Sequence, residues 1–389
     1  MFIKILKSYD YSLILAIFLL STFGLIMVYS SSMITSILRY DVTSSYFFKK
    51  QSISLLLGFI MFVLVSFFPY KIFFQKKFIK LLFYVSIGSL LFVIVFGHTA
   101  GNAQSWVKLG GAAIQPAEFA KISVIIYLAA LLAKKQNYMD HFSHAILPPV
   151  IFVVIIFILI LLQPDFGTAL IILLNAAIVI LCSGIPLKSC IKLAVFTSLA
   201  AMFGLILLFL TNKLADVFSS ERISRFTGFL DPFENIADSG YQLVSSYYAI
   251  SGGGITGLGL GNSVQKFGYL PESHTDFIMA VISEELGIFG VLFVIVLLGF
   301  IVLKGFAISK NCQDPFGSLL AIGISSMIGI QALVNLGAVA GLLPITGVTL
   351  PFVSYGGSSL ILLFISAGVL VNISMMNTFK ETYNVQKAA

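Results

Sequence analysis

Apolar stretches long enough to cross a bilayer recur from one end of this chain to the other, and that repetition leaves few folds open. Roughly 17 to 25 mostly apolar residues span about 30 Å of hydrocarbon as a helix, where only helices or closed barrels satisfy the backbone. The stretches are helical in length and lack the alternation of barrel strands. They fall near residues 12–32, 52–69, 79–97, 118–133, 147–162, 166–183, 190–210, 277–303, 317–342 and 358–376. The balance of 59% hydrophobic to 10% charged residues is far from the ~25% charged of soluble domains. The expected fold is all-α: a single polytopic membrane domain over 1–389, with about ten transmembrane helices.

Lysine and arginine in short loops set the orientation of such a protein. With both termini cytoplasmic, the inner side holds Lys4, Lys7, Lys71, Lys76, Lys77, Lys80, Lys134, Lys135, Lys188, Lys192, Lys304, Lys310, Lys380 and Lys387, and the short outer loops hold Arg39, Lys49, Lys50 and Lys108. Most carboxylates fall outside. The net charge of +7 is thus largely an inner-face property suited to anionic headgroups, and gives no reason to invoke nucleic acid. The basic N-terminus and first apolar run read as an uncleaved span, without a convincing small-x-small cleavage site. Cys182, Cys190 and Cys312 fall near the inner face and are expected to be reduced thiols, with no metal spacing.

One connection is long: residues 211–275, outside, between the seventh and eighth spans. Long loops in compact domains concentrate function. Within it Gly240-Tyr-Gln-Leu-Val-Ser-Ser-Tyr-Tyr-Ala-Ile250 has helical apolar spacing, and an interfacial amphipathic helix and a helix packing the loop are both open. Gly252-Gly-Gly-Ile-Thr-Gly-Leu-Gly-Leu-Gly261 lacks the spacing and preceding strand of a nucleotide loop and is expected to be a mobile backbone segment. Gly341–Ser359 carries no charge but has four glycines and two prolines, which implies irregular backbone sheltered by protein or a wet cavity.

The carboxylates at helix mouths are the candidates for chemistry. Asp276 stands where the long loop enters the eighth span, beside Glu272 and His274. It serves either as a helix cap or as a general base raised toward neutrality by an apolar setting. Glu272 is either a solvated loop acid or a source of like charge, and with Asp276 a possible ligand for a divalent ion. His274 has no second imidazole at metal spacing. Glu284 and Glu285 lie deeper, as buried partners or neutral carboxyls. In Ile114-Gln-Pro-Ala-Glu-Phe-Ala-Lys121, Pro116 suits a first helical turn, and Glu118 and Lys121 share one face. A structural ion pair and a polar cavity lining are compatible readings. Asp165, in Gln163-Pro-Asp-Phe-Gly-Thr168, caps a helix or lines the same pocket. Arg222 and Arg225 lie three apart on the outer loop, suited to a pyrophosphate or simply solvated; Lys266 is a weaker candidate of that kind.

Gly101-Asn-Ala-Gln-Ser-Trp106, Gln115-Pro-Ala-Glu-Phe-Ala-Lys121, Gln163-Pro-Asp-Phe-Gly-Thr168, Leu270-Pro-Glu-Ser-His-Thr-Asp-Phe-Ile278 with Glu284-Glu-Leu-Gly287, and Leu350-Pro-Phe-Val-Ser-Tyr-Gly-Gly-Ser-Ser359 come in the order and spacing of the SEDS family of shape, elongation, division and sporulation proteins. The chain resembles that family over nearly its whole length. Gly257-Leu-Gly-Leu-Gly-Asn-Ser-Val-Gln-Lys266 and Gly347-Val-Thr-Leu-Pro351 resemble the division branch rather than the elongation branch, and the sporulation branch stays open. Ala117 stands where the family commonly has serine, one small residue for another.

The resemblance implies a peptidoglycan glycosyltransferase that polymerises lipid II at the outer face of the cytoplasmic membrane, with Asp276 essential. It implies Glu118, Lys121 and Asp165 in a central cavity, with Ser354 and Gly356 of the uncharged loop as further cavity candidates. A class B penicillin-binding protein and other division proteins are the implied partners, the septum the implied place, and magnesium or manganese the expected cofactor, with no organic one. Asp276 would deprotonate the 4-hydroxyl of lipid II, whose oxygen attacks the anomeric carbon of the lipid-linked glycan and expels polyprenyl diphosphate, while Arg222, Arg225 or Lys266 receives the leaving charge. Two rivals remain: a lipid II transporter, against which the acids gather at the outer face rather than the midplane, and a division scaffold, for which Asp276 would be dispensable.

Overall fold

In hydrocarbon the backbone has no partner but itself, so the apolar stretches become helices. The computed structural model describes residues 2–384 except 101–102, 110–111, 140, 164, 187, 194, 196–197, 199–201, 203–223, 225–226 and 237–239. Its helices are α1 (Phe2–Lys7), α2 (Tyr11–Tyr40), α3 (Tyr46–Phe67), α4 (Lys76–Phe96), α5 (Pro116–Lys134), α6 (Phe142–Ala145), α7 (Leu147–Leu161), α8 (Phe166–Leu181), α9 (Tyr241–Gly253), α10 (Ile278–Asn311), α11 (Pro315–Val339) and α12 (Gly357–Asn384). Among the described residues, α2, α3, α4, α5, α10, α11 and α12 are long and apolar enough to cross a membrane, and α7 and α8 are shorter apolar helices. The seventh expected span, 190–210, lies mostly outside the described residues; each of the others coincides with one of these helices. The chain is a polytopic helical membrane protein.

Local chemistry fixes where several helices begin. Pro116 occupies the first turn of α5, where its missing N–H costs nothing. The Asp10 carboxylate accepts the N–H of Leu13 at 3.2 Å to cap α2, and Asp165 caps α8 through Thr168 N–H at 3.1 Å. Packing then sorts the helices into a centre and a rim. The most apolar windows of α5, α11 and α12 are 78%, 78% and 72% buried, against 22% for α3 and α4 and 28% for α10. Glycine, alanine and serine on α5 and α11 let these central helices approach closely, as membrane helices require.

The two ends of the bundle are chemically distinct. At one end the Lys4 ammonium lies over the Tyr383 ring, 4.7 Å from its centroid, Lys304 pairs with Asp10 at 3.2 Å, and Tyr70 donates to Asp314 at 2.8 Å. The two described ends of the chain therefore share one side. At the other end Arg39 reaches Glu272 at 3.7 Å, joining the end of α2 to the loop before α10.

That second end also carries a small antiparallel sheet, a departure from a purely helical reading. β1 (His98–Ala100), β2 (Ala103–Leu109) and β3 (Ala112–Ile114) pair in that order, with His98 opposite Trp106 and Val107 opposite Ile114. The strands are too short to show a periodicity. A signal existed nonetheless in Gly101-Asn102 and Gly110-Gly111, dipeptides favoured at hairpin turns.

Candidate active site

The site is built on the start of α10 and the two loops that meet it. Gly287 lies inside α10 with φ 60° and ψ −153°, a backbone region open essentially to glycine. A Cβ there would stand 2.3 Å from the Ile255 carbonyl oxygen and 2.6 Å from Gly257 N. The glycine-rich segment is bonded onto this break: Leu258 N donates to Glu284 O and Gly259 N to Glu285 O, each at 2.9 Å, and Ile288 N to Ile255 O at 3.2 Å. This corrects the expectation of a mobile segment. A Cβ on Gly257 would lie 2.2 Å from Glu285 O, so glycine serves close approach there. Gly287→Ala is expected to cost about 1–3 kcal/mol or more, read as a lower melting temperature of the purified protein.

Glu284 and Glu285 bolt the next stretch of loop in place. Glu284 accepts from the Ser263 hydroxyl at 2.5 Å and from Val264 N at 2.9 Å. Glu285 pairs with Lys266 at 2.8 Å, both side chains fully buried, and accepts from the Ser30 hydroxyl at 2.7 Å. The Lys266 ammonium also donates to Gly261 O at 2.6 Å. Lys266 is thereby corrected as a candidate for the leaving diphosphate: its charge is spent inside the protein, tying α2 to α10. Arg222 and Arg225 lie outside the described residues.

The loop so fixed presents Asp276. Its carboxylate does not cap α10, since Phe277 holds that position without a side-chain cap. Asp276 is buried, and burial, reinforced by the Glu272 carboxylate, pushes its carboxyl up to about 7. The Thr275 hydroxyl stands between the two acids, 2.8 Å from Glu272 Oε2 and 3.0 Å from Asp276 Oδ1. Glu272 has φ 54° and, across the site, Phe352 has φ 64°; strain of this kind gathers where geometry is over-determined by function. His274 turns the other way, against Phe47 at 4.4 Å and Tyr355 at 5.7 Å between ring centroids. Burial lowers its imidazole to about 4, so it is neutral at physiological pH.

A second charged cluster lies between α5, α11 and α12. Lys121 pairs with Glu118 at 2.8 Å and donates to Gln331 Oε1 at 3.0 Å; the Ser359 hydroxyl donates to Glu118 at 3.0 Å. Gln115 Nε2 donates to Asp165 at 2.8 Å, so the acid that caps α8 also faces the start of α5. Two narrow hollows adjoin here at Leu363. Glu118, Lys121 and Met327 line one, and Phe352, Ser354, Gly356 and Ser359 the other. The structural reading of Glu118 and Lys121 is seen directly as a buried ion pair, which stands beside one of these hollows.

Among the described residues no cluster of three or more His, Cys, Asp or Glu side chains is arranged to hold a metal. The donors that do converge are Asp276, Glu272 and Thr275. Magnesium is commonly held by one or two carboxylates plus substrate phosphates rather than by an all-protein cage, and this oxygen set fits that mode.

Sequence reasoning missed two side chains. Asn335 Nδ2 donates to Asp276 O and to Val348 O, each at 2.7 Å. Gln331 Nε2 donates to Thr349 O at 3.0 Å. Two amides four residues apart in an apolar span were the available signal.

A bundle of membrane helices with a buried carboxyl raised to about 7 on the loop that enters α10 defines an integral membrane protein with a candidate acid–base site at one end of the bundle. The comparisons with known proteins narrow this. The model of the Cell cycle protein family FtsW/RodA/SpoVE matches residues 11–379, and the chain belongs to that family. It is 58% identical to the probable peptidoglycan glycosyltransferase FtsW of Bacillus subtilis, over 97% of this chain and 93% of that protein. It is 37% identical to stage V sporulation protein E of the same organism, over 96% of this chain and 98% of that one. Among solved structures it resembles a chain from a study of how a peptidoglycan synthase complex coordinates polymerization and crosslinking, with TM-score 0.72, 26% identity, and coverage of 95% and 98%. It also resembles Thermus thermophilus RodA, with TM-score 0.66, 26% identity, and coverage of 94% and 96%.

Proposed function

We infer that this protein is a peptidoglycan glycosyltransferase that joins lipid II into glycan strands at the outer face of the cytoplasmic membrane during septal wall synthesis. The observation that carries the mechanism is Asp276, a buried carboxylate raised to about 7 beside Glu272 on a loop hydrogen-bonded to α10 and α11. A general base works best with a pKa near the working pH. Asp276 takes the proton of the lipid II 4-hydroxyl; that oxygen forms the new bond to the anomeric carbon of the lipid-linked glycan. The bond from that carbon to the diphosphate breaks, and polyprenyl diphosphate leaves with the electron pair. A magnesium or manganese ion, held by Asp276 and Glu272, would supply charge stabilisation for the leaving diphosphate. Arg222 and Arg225 are proposed to share that task.

Glu118 and Lys121 line one narrow hollow and Ser354 and Gly356 the adjoining one; together with Asp165, which meets Gln115 at the start of α5, they are proposed to receive polar parts of the substrates. The greater identity to FtsW than to the sporulation relative supports a division role. The likeness to a chain of a peptidoglycan synthase complex supports a class B penicillin-binding protein as partner, alongside other division proteins. The lysine distribution supports cytoplasmic termini and, with them, an Asp276 that faces the outside.

The test is the leaving group. Purified protein given lipid II and a divalent cation, with and without a class B partner, should release one polyprenyl diphosphate per glycosidic bond. Transport without release would contradict the reading. Ionised Asp276 is the active form, so kcat/KM should rise with pH until it levels near 7. Glu272→Gln removes the like charge and should move that acid limb to lower pH, leaving the part due to burial; an unmoved limb would show that Glu272 does not set the base.

A further inference from the structure

The mechanism requires Asp276 to stay where it is, yet its own loop supplies little that holds it from the cavity side. That support comes from α11. Asn335 is buried, and its amide nitrogen donates to two backbone carbonyls at once, Asp276 O and Val348 O, both at 2.7 Å. Both partners are acceptors, so only the nitrogen of the amide can face them. Among the described residues its oxygen has no hydrogen-bond partner, so the polar work seen for this side chain is the double donation. One turn earlier Gln331 repeats the device, accepting from Lys121 Nζ and donating to Thr349 O, each at 3.0 Å. Residues four apart lie on one face of a helix. One face of α11 thus ties the loop of Asp276 to the charge-free loop, and the charge-free loop to the Glu118–Lys121 pair. Tyr355 N closes the frame by donating to His274 O at 2.9 Å.

We propose that Asn335 is a positioning residue for Asp276, a staple that joins the backbone of the base to the Val348 carbonyl and holds the carboxylate in register with the cavity. The proposal rests on Asp276 being the base. Asn335 touches neither the carboxylate nor any reacting atom; it acts through the main chain. Misplacing a catalytic group by about 1 Å from a remote substitution costs on the order of 100-fold in rate.

The decisive variant is Asn335→Asp, which keeps the shape but removes both donors and turns a carboxylate toward two carbonyls. In full-length protein assayed with lipid II and its class B partner, kcat is expected to fall about 10- to 100-fold while KM stays within about twofold, because the cavity side chains are untouched. Amide hydrogen exchange should quicken in 270–277 and 346–350 and stay unchanged in the membrane part of α10. Where Asn335→Asp does not fold, Asn335→Ala, which introduces no repulsion, carries the same test. An unchanged kcat, or a rise in KM with kcat intact, would overturn the staple. Asp276→Asn separates the two ideas: full activity in that variant overturns the base itself, whereas an inactive Asp276→Asn beside a fully active Asn335→Asp overturns the staple alone.

Discussion

Asp276→Asn is expected to lower the rate of glycan polymerisation by about 100- to 10,000-fold, the range supplied by a positioned general base, and to make the folded protein more stable. Both effects have one cause. A carboxyl held at about 7 in the fold against about 3.9 in an unfolded chain is one the fold prefers protonated. The sign follows from linkage: the fold is best off with this group below the unfolded pKa, loses stability as pH rises toward about 7, and loses no more above it. The asparagine variant removes that penalty. Its advantage in stability, read as a higher melting temperature, should be near zero at pH 4, grow to neutrality and then stay level, on the order of a few kcal/mol at most. Initial rates and melting curves on the same preparation test both halves. A variant both inactive and destabilised at neutral pH would point to a structural role for Asp276.

The Lys266–Glu285 pair should produce the largest loss of stability from one substitution. Both side chains are fully buried at 2.8 Å, and removing one member of such a pair leaves the other charge uncompensated, a cost of about 3–5 kcal/mol. Lys266→Met is therefore expected to unfold at markedly lower temperature and to lose polymerisation as the loop loosens. Lys266→Met combined with Glu285→Leu should recover most of the stability, because a well-packed apolar pair often replaces a buried ion pair at little cost. A Lys266→Met protein with wild-type stability but weakened binding of the diphosphate product would return Lys266 to the substrate site.

These two residues also mark where the sequence could and could not be read. Asp276 was legible because a carboxylate at the mouth of an apolar helix is costly without a reason. Lys266 was not: in sequence it is one lysine on a long loop, and its partner lies 19 residues on, across a fold-back that the glycines permit. The spans were legible because bilayer thickness dictates their length. Which of them form the centre was not, since α3 and α11 have nearly equal mean hydropathy, 1.8 and 1.9, and differ in what they pack against. Gly287 looked like part of a motif, but its break in α10 depends on the Ile255 and Gly257 backbones lying against it. Asn335 and Gln331 escaped notice because a single amide in a span announces polarity without naming its partner.

The most direct test of the central claim is gel analysis of the glycans formed when the purified protein, alone and with a class B penicillin-binding protein, is given lipid II and magnesium or manganese, with Asp276→Asn beside it. The wild type is expected to give a ladder of polymer that is absent from the folded variant. Lipid II crossing vesicle membranes in the absence of any polymer, or polymer undiminished in the variant, would contradict it.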